Sequence, residues 1–183
     1  MFIVSVCSLK GGVGKTSVTL GLASAALHQG VNTLVIDFDP QGDSTLGLLG
    51  EPASSLDIAE VISSPRTETI DRAIIPTPWA AEAASHLDII PGSSRSAIMD
   101  SPAQTSKDVR RLHQALEKRT HQYDLVLIDC PPSLNGLTQM ALAASDRALV
   151  VAEPGFFAVT AADRALKLAS EMHEDGIAPR LQP

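Results

Sequence analysis

The sequence predicts an α/β fold, a doubly wound and mostly parallel sheet with helices on both faces. Two observations support this prediction. Short apolar runs rich in β-branched residues recur along the 183-residue chain, and segments with helical spacing of apolar residues lie between them. Continuous apolar runs are typical of strands that are covered on both faces. Strands that alternate with helices are typical of right-handed βαβ units, so we expect one sheet between two helical layers.

Five runs are predicted as strands, each followed by turn residues or by a helical pattern. In chain order they are FIVSV (2–6), NTLVID (32–37), HLDIIPG (86–92), DLVLID (124–129) and RALVVAE (147–153). The third is the weakest, because its polar residues interrupt the apolar run.

The segment 15–29 is predicted as the first long helix, since its apolar residues recur at helical spacing before a glycine. We expect it to bury a face made of Val18, Leu22, Ala25 and Ala26.

Two further helices are predicted over 107–121 and 161–175. Residues 52–105 contain six prolines, so we expect short helices and loops around the 86–92 strand. The chain ends in IAPRLQP, which resembles a connection into another strand. We therefore expect a single domain over 1–183 that is incomplete at its C-terminus.

The composition is that of a globular protein, with 44% hydrophobic and 19% charged residues. A formal net charge of −7 does not favour bulk attraction to nucleic acid or anionic lipid, so such contacts need a local basic patch. Two cysteines are too few for a disulfide framework. No apolar stretch approaches the ~18 residues of a membrane span, so we expect a cytoplasmic protein without membrane association.

The stretch SLKGGVGKTS (8–17) lies between the first strand and the first helix, as a phosphate-binding loop does. The usual pattern, G-x-x-x-x-G-K-[ST], ends here in Gly14, Lys15 and Thr16. Its first glycine would stand at position 9, where this chain has Leu9, and a second lysine, Lys10, follows. The loop therefore departs from the usual pattern at position 9 and carries an additional lysine beside it.

The residues of this loop suit a nucleoside triphosphate. Glycines let the backbone turn tightly and bring its N–H groups onto an anion, and the helix that follows adds its positive end. Lys15 is expected to reach the β- and γ-phosphates, Thr16 to ligate Mg²⁺ and Ser17 to donate to the α-phosphate. The predicted nucleotide-binding residues in the loop are Lys10, Gly11, Gly12, Val13, Gly14, Lys15, Thr16 and Ser17.

Carboxylates end two of the predicted strands. Asp129 follows four apolar residues, which is the position of the aspartate that supports Mg²⁺ beside a phosphate loop. Asp37 and Asp39 close the second strand, and strand alternation sends both to the same side. We expect one of the pair to hold a water of the metal and the other to orient the attacking water.

Three motifs together resemble the ParA branch of the deviant Walker A ATPases, P-loop NTPases that partition chromosomes and plasmids. They are KGGVGKTS (10–17), VIDFDPQGDST (35–45) and YDLVLIDCPPSLNGLT (123–138), in the order and on the strands of that family. The resemblance covers about 10–165 and implies binding and hydrolysis of ATP with Mg²⁺. It also implies an ATP-dependent homodimer and slow turnover that a ParB-like partner stimulates.

The resemblance gives Lys10 a role of its own, as the signature lysine that reaches the partner subunit's nucleotide. A cation supplied from the other subunit neutralises charge on the transferring phosphoryl group. It further implies catalytic roles for Lys10, Lys15 and Asp39, with Asp39 activating water. It implies magnesium support from Thr16, Asp37 and Asp129, and γ-phosphate sensing by Gln41.

Some features of the sequence leave alternatives open. Relatives commonly have Asn-Gln before the signature lysine, whereas this chain has Ser8 and Leu9. Basic residues on the 107–121 helix suit either a solvated face or a contact with DNA or a partner. The function could be partitioning, with nonspecific DNA binding at the nucleoid. It could instead be that of an orphan ParA-like or MinD-like switch that positions a division or cell-pole component.

Overall fold

The computed structural model describes residues 1–53, 56–102, 105–117 and 122–178. Within them the chain forms one six-stranded sheet. Its strands are β1 (Phe2–Cys7), β2 (Thr33–Asp37), β3 (Ile75–Pro76), β4 (Leu87–Ile90), β5 (Leu125–Asp129) and β6 (Arg147–Val150). The spatial order is β3-β4-β2-β5-β1-β6, and only β3 runs antiparallel to its neighbour. The predicted α/β fold with a mostly parallel sheet is confirmed.

The helices lie between the strands, as predicted, although their bounds differ in places. They are α1 (Lys15–His28), α2 (Asp43–Leu49), α3 (Ile58–Ser63), α4 (Thr67–Ala73), α5 (Ser106–Val109), α6 (Arg111–Glu117), α7 (Gly136–Ala144) and α8 (Phe156–Glu174). Short 3₁₀ helices cover Pro78–Ala80 and Ser94–Met99. Among the described residues, no helix is both long enough and apolar enough to cross a membrane.

Two of the predicted helices have wrong bounds, and α7 was not predicted at all. The 107–121 helix is two helices, interrupted at Arg110, and its residues 118–121 lie outside the described residues. Helix α8 begins at Phe156 rather than at 161. Helix α7 was not predicted, because eight of its nine residues are buried and a segment buried all round has no amphipathic period to detect.

Helices cover both faces of the sheet, because alternate side chains of β2 pack into two different helix-lined cores. Leu34 and Ile36 share one core with residues of α3, α6 and α7. Val35 points the other way, into a core that includes Ala23 of α1 and Leu48 of α2. Successive side chains of a strand point to opposite faces, so one apolar strand supplies both cores.

Helix α1 buries a different face from the one predicted. Its buried residues are Lys15, Thr19, Ala23 and Leu27, whereas Leu22 is 38% exposed. Apolar and small residues occur all round this helix, so their spacing does not define one face. Polar contacts decide instead, because the side chains of Lys15 and Thr19 both bond to Asp129 at the end of β5.

The sheet brings the motif-bearing strand ends together. Strand β5 lies between β1 and β2, with Asp129 level with Val6 on one side and with Asp37 on the other. The loop after β1 therefore stands beside the acidic ends of β2 and β5. Ligands of open α/β sheets bind in a crevice at this carboxyl edge.

Candidate nucleotide site

The loop between β1 and α1 forms an open cradle of backbone. Gly12 and Gly14 have φ angles of 78° and 91°, which side chains with a Cβ rarely adopt. No atom lies within 4 Å of the place where a Cβ would stand on Gly11, Gly12 or Gly14, so the cradle opens into free space. Gly14 caps α1 and has no side-chain oxygen, so it leaves the first N–H groups of the helix available to an anion.

A cavity of about 270 Å³ lies over this cradle. It is lined by nine predicted residues, namely Lys10, Gly11, Gly12, Gly14, Lys15, Thr16, Ser17, Asp39 and Gln41. Asp43 and Pro132 also line it and were not predicted. Val13 instead lines a neighbouring, mostly apolar cavity of about 430 Å³. The tertiary structure thus joins residues of the loop with those that follow β2.

Asp129 lies beneath the cradle and receives four hydrogen bonds. Its Oδ1 accepts from Lys15 Nζ at 2.7 Å and from Thr19 Oγ1 at 3.4 Å. Its Oδ2 accepts from Thr16 Oγ1 at 2.8 Å and from Ser44 Oγ at 2.6 Å. Asp129 is fully buried, so these donors compensate its loss of water. One carboxylate therefore connects the loop, α1 and α2.

Lys15 is the buried cation of this site. Its Nζ lies 2.7 Å from Asp129 Oδ1 and 3.6 Å from Asp39 Oδ2. Burial acts to lower the pKa of Lys15, but the charge and hydrogen bond of Asp129, with the charge of Asp39, hold that pKa above its ordinary value. Lys15 therefore carries its charge at neutral pH, as a phosphate ligand must.

Asp37 lies apart from the cavity that the loop and Asp39 line, and its assignment as a magnesium residue stays a prediction. Its side chain is fully buried and is absent from the cavity lining. Its Oδ2 accepts from Thr45 N at 2.7 Å and from Thr45 Oγ1 at 2.6 Å, and its Oδ1 has no hydrogen-bond partner among the residues that the structure describes. Asp39 lies beyond the end of β2, where strand alternation no longer governs, and it alone of the pair reaches the cavity.

Burial raises the pKa of Asp37 to about 7, in spite of the two hydrogen bonds from Thr45. There is also little free space around Asp37 Oδ1, because Gly92 packs close to it. A Cβ on Gly92 would stand 2.7 Å from Asp37 Cγ and 2.8 Å from Oδ1. Asp37 is thus enclosed between α2 and the loop after β4.

Lys10 stands at the mouth of the cradle, where the two cavities adjoin. Its side chain is 67% exposed and forms an ion pair with Glu153, which is 48% exposed. The hydroxyl of Ser8 donates to the carbonyl of Lys10 and accepts from its N–H, at 3.0 and 3.1 Å. The backbone at Lys10 is therefore held while its charged end remains accessible.

Sequence reasoning missed several residues that contact the site residues, namely Thr19, Ser44, Thr45, Gly92 and Glu153. Ser44 and Thr45 follow the DPQGD stretch at the start of α2, and hydroxyls in a first helical turn often bond to nearby acceptors. That signal was present in the sequence. The contacts of Gly92 and Glu153 join residues 55 and 143 positions apart, for which no local pattern exists.

The basic face predicted on the 107–121 helix is described only in part. Arg110 donates to the carbonyl of Gly176, and Arg111 pairs with Asp108. Lys118 and Arg119 lie outside the described residues. The two described arginines are used in contacts within the chain.

The described ranges contain no group of three His, Cys, Asp or Glu side chains that could hold a metal alone. Mg²⁺ in nucleotide sites takes one or two protein oxygens and completes its shell with phosphate oxygens and water. Thr16 and Asp129, bonded to each other beside the cradle, suit that kind of site.

Comparisons with known proteins agree on the family. The family model described as "AAA domain" (AAA_31) matches residues 1–182. A ParA family protein of Chlamydia trachomatis is 38% identical over 168 residues, which are 90% of this chain and 63% of that protein. The sporulation initiation inhibitor protein Soj of Bacillus subtilis is 33% identical over 159 residues, 86% of this chain and 60% of Soj. The chain spans less than two thirds of the length of these relatives.

A solved structure is also similar. Cobyrinic acid a,c-diamide synthase of Mycobacterium smegmatis, with bound ADP and magnesium, superposes with a TM-score of 0.84 at 27% identity. The match covers 99% of this chain and 71% of that protein. With the family model and the relatives, it agrees with the phosphate-loop architecture built above. The chain belongs to this family of AAA domains and is a ParA-type member of the ParA/MinD superfamily.

Proposed function

We propose that this protein is a Mg²⁺-dependent ATPase of the ParA type, whose ATP-driven dimerisation switches its binding to DNA or to a partner protein during chromosome or plasmid partitioning. One observation carries the proposal. Lys15 and Thr16 both donate hydrogen bonds to Asp129 directly under an open glycine cradle. This arrangement suits a triphosphate with its cation and serves no other evident purpose.

The residues present fit ATP and Mg²⁺. The backbone N–H groups of the cradle and Lys15 would bind the phosphates, while Thr16 and Asp129 would hold the cation and its water. When bound, Mg²⁺ would supply positive charge that offsets the negative charge of the phosphates. Lys15 can exchange its contact with Asp129 for phosphate oxygens without moving into bulk water.

Asp39 is proposed to position the attacking water. Its Oδ1 accepts from the backbone N–H of Gln41 at 3.0 Å, which orients the carboxylate within the cavity lining. Gln41, in the loop after β2, and Asp43, at the start of α2, line the same space, so we expect them to respond to the γ-phosphate. In this chain Asp39 holds the water while the cradle stabilises the charge that develops.

Lys10 is proposed to act on the nucleotide of a second subunit. Its side chain is 67% exposed and pairs with Glu153, which lines the neighbouring apolar cavity. Turnover by the chain alone is then slow, since a catalytic cation arrives only with the second subunit, and a ParB-like protein or DNA would accelerate it. Such a protein acts in the cytoplasm, on or near the nucleoid.

Light scattering coupled to size-exclusion chromatography tests the proposal on chain 1–183 carrying Asp39→Ala, which slows hydrolysis and preserves the bound state. We expect a dimer with ATP and Mg²⁺ and a monomer with ADP. Lys10→Ala in the same background should weaken the dimer, and Lys15→Ala should abolish nucleotide binding measured with a fluorescent ATP analogue.

Two outcomes would contradict the proposal. A monomer that binds ATP would remove the dimerisation switch, and absence of ATP binding would remove the ATPase assignment. A dimer whose ATP turnover responds neither to DNA nor to a ParB-type protein would favour a switch that positions a division or cell-pole component.

A further inference from the structure

The loop between β2 and α2 carries two of the cavity-lining residues, Asp39 and Gln41, and the first residue of α2, Asp43, is a third. Two hydrogen bonds inside this loop shape it, from Gln41 N to Asp39 Oδ1 and from Gly42 N to Asp39 O, both at 3.0 Å. These bonds set the curvature of the loop but do not attach it to the sheet. Beyond the bond from Phe38 N to Asp129 O at 2.9 Å and the 3.6 Å ion pair of Asp39 with Lys15, its position over the phosphates depends on how its two ends are held.

The two ends of the loop are held to each other by Asp37 and Thr45. Asp37 is the last residue of β2, and Thr45 lies in the first turn of α2. Both hydrogens that Thr45 can donate, from its N–H and its hydroxyl, go to Asp37 Oδ2, at 2.7 and 2.6 Å. Asp37 is fully buried and Thr45 is 3% exposed, so water does not compete for these bonds.

The hydroxyl of Thr45 also joins a third segment. It accepts from the N–H of Gly92, in the loop after β4, at 2.8 Å. Gly92 in turn packs closely against both acidic residues, since a Cβ there would stand 2.7 Å from Asp37 Cγ and 2.9 Å from the carbonyl oxygen of Asp39. One hydroxyl therefore connects the end of β2, the start of α2 and the loop after β4.

We propose that Thr45 is a positioning residue for ATP hydrolysis, which through Asp37 and Gly92 fixes the loop that presents Asp39 and Gln41 to the phosphates. This inference rests on the proposed function. Thr45 does not line the phosphate cavity, so it acts through the loop and not on the nucleotide. A displacement of about 1 Å in a catalytic group can cost on the order of 10²-fold in rate, so loss of this attachment should lower kcat.

The test uses three variants of chain 1–183. Thr45→Val removes the hydroxyl at nearly constant shape, and Thr45→Ser keeps it. Thr77→Val is the matched control, because Thr77 is 4% exposed and its hydroxyl donates to Leu87 O at 2.8 Å, away from the cavity lining. We expect Thr45→Val to lower kcat about tenfold or more, with KM and the Kd of an ATP analogue within about threefold. Thr45→Ser should stay within about twofold of the parent chain, and Thr77→Val should lower Tm without changing kcat.

Equal kcat values for Thr45→Val and the parent chain would overturn the inference. So would a Thr45→Val variant whose kcat, KM and Tm follow those of Thr77→Val, since that pattern indicates a merely structural hydroxyl. Thr45→Cys, with a weak donor, serves if Thr45→Val does not fold. Its kcat should then fall below that of Thr45→Ser, and equality of the two would also overturn the inference.

Hydrogen–deuterium exchange separates this inference from the proposed function. If the parent chain shows no turnover, the proposed function fails, yet the attachment of the loop can still be measured. Peptides that span residues 38–45 should exchange about tenfold faster in Thr45→Val than in the parent chain. In Thr45→Ser their exchange rate should equal that of the parent chain. Unchanged exchange in Thr45→Val would overturn the attachment itself, whatever the activity.

Discussion

Gly92→Ala should destabilise the protein through a single added methyl group. That Cβ would stand 2.7 Å from Asp37 Cγ, 2.8 Å from Asp37 Oδ1 and 2.9 Å from the carbonyl oxygen of Asp39. Ordinary contacts begin near 3.4 Å, so something must shift by more than half an ångström. Asp37 cannot rotate away freely, because its Oδ2 is held by both donors of Thr45.

The expected cost follows from this overlap. Overpacking a buried site costs about 1–3 kcal/mol, and a chain of this length loses roughly 2–4 °C in Tm per kcal/mol. We therefore expect Gly92→Ala to lower Tm by about 2–12 °C. Thermal unfolding followed by circular dichroism measures the shift, and urea unfolding gives the free energy independently.

Gly21→Ala is the matched control for the same chemical change. Gly21 lies in α1 with no atom within 4 Å of its added Cβ and without a positive φ. Alanine is favoured over glycine inside a helix by about 0.5–1 kcal/mol, so this variant should be more stable than the parent chain. The critical result is that the two substitutions change the stability in opposite directions. A Gly92→Ala variant as stable as the parent would refute the close contact between Gly92 and Asp37.

Three other predictions follow from the buried and exposed charges. Because the pKa of Asp37 is raised to about 7, the folded state favours its neutral form. The stabilisation from neutral Asp37 is fully present below the pKa that Asp37 has in the unfolded chain. It is lost as the pH rises through about 7. The unfolding free energy relative to Asp37→Asn should thus fall by up to ~4 kcal/mol between pH 4 and 8, and a flat difference would contradict the buried carboxyl. Lys15→Met should cost about 3–5 kcal/mol in urea unfolding by leaving Asp129 buried and unpaired, with partial recovery when Asp129→Asn is added. Lys10→Ala and Glu153→Gln should each change stability by less than about 1 kcal/mol, because the pair is exposed. A larger loss for Lys10→Ala would mean that its effect on turnover could not be assigned to phosphate chemistry.

Local patterns determined much of the fold. The apolar runs predicted the strands β1, β2, β4, β5 and β6, because a strand buried on both faces must be apolar at nearly every position. The glycines and lysines of 8–17 likewise predicted a cradle between β1 and α1, since positive φ angles and anion binding are properties of the local chain. Strand β3, with two residues, is too short to produce such a pattern.

Helix faces were less predictable, for a physical reason. Helix α1 has apolar or small residues on several sides. Its inward face is determined by the hydrogen bonds of Lys15 and Thr19 to Asp129, which is over 100 residues away in sequence. Helix α7 is buried nearly all round and so lacks the periodicity that reveals a helix. In both cases the deciding contacts come from other parts of the chain.

The sequence by itself determined which chemistry this protein can carry, and the tertiary structure decided which residue carries each part. Residue types and spacing were sufficient for a phosphate loop, a second lysine and carboxylates at two strand ends. Only the folded chain separates Asp39, which lines the cavity, from Asp37, which Thr45 and Gly92 enclose. Strand alternation treats the two acids alike, whereas burial and hydrogen bonding depend on segments that are distant in sequence and meet only at the carboxyl edge of the sheet.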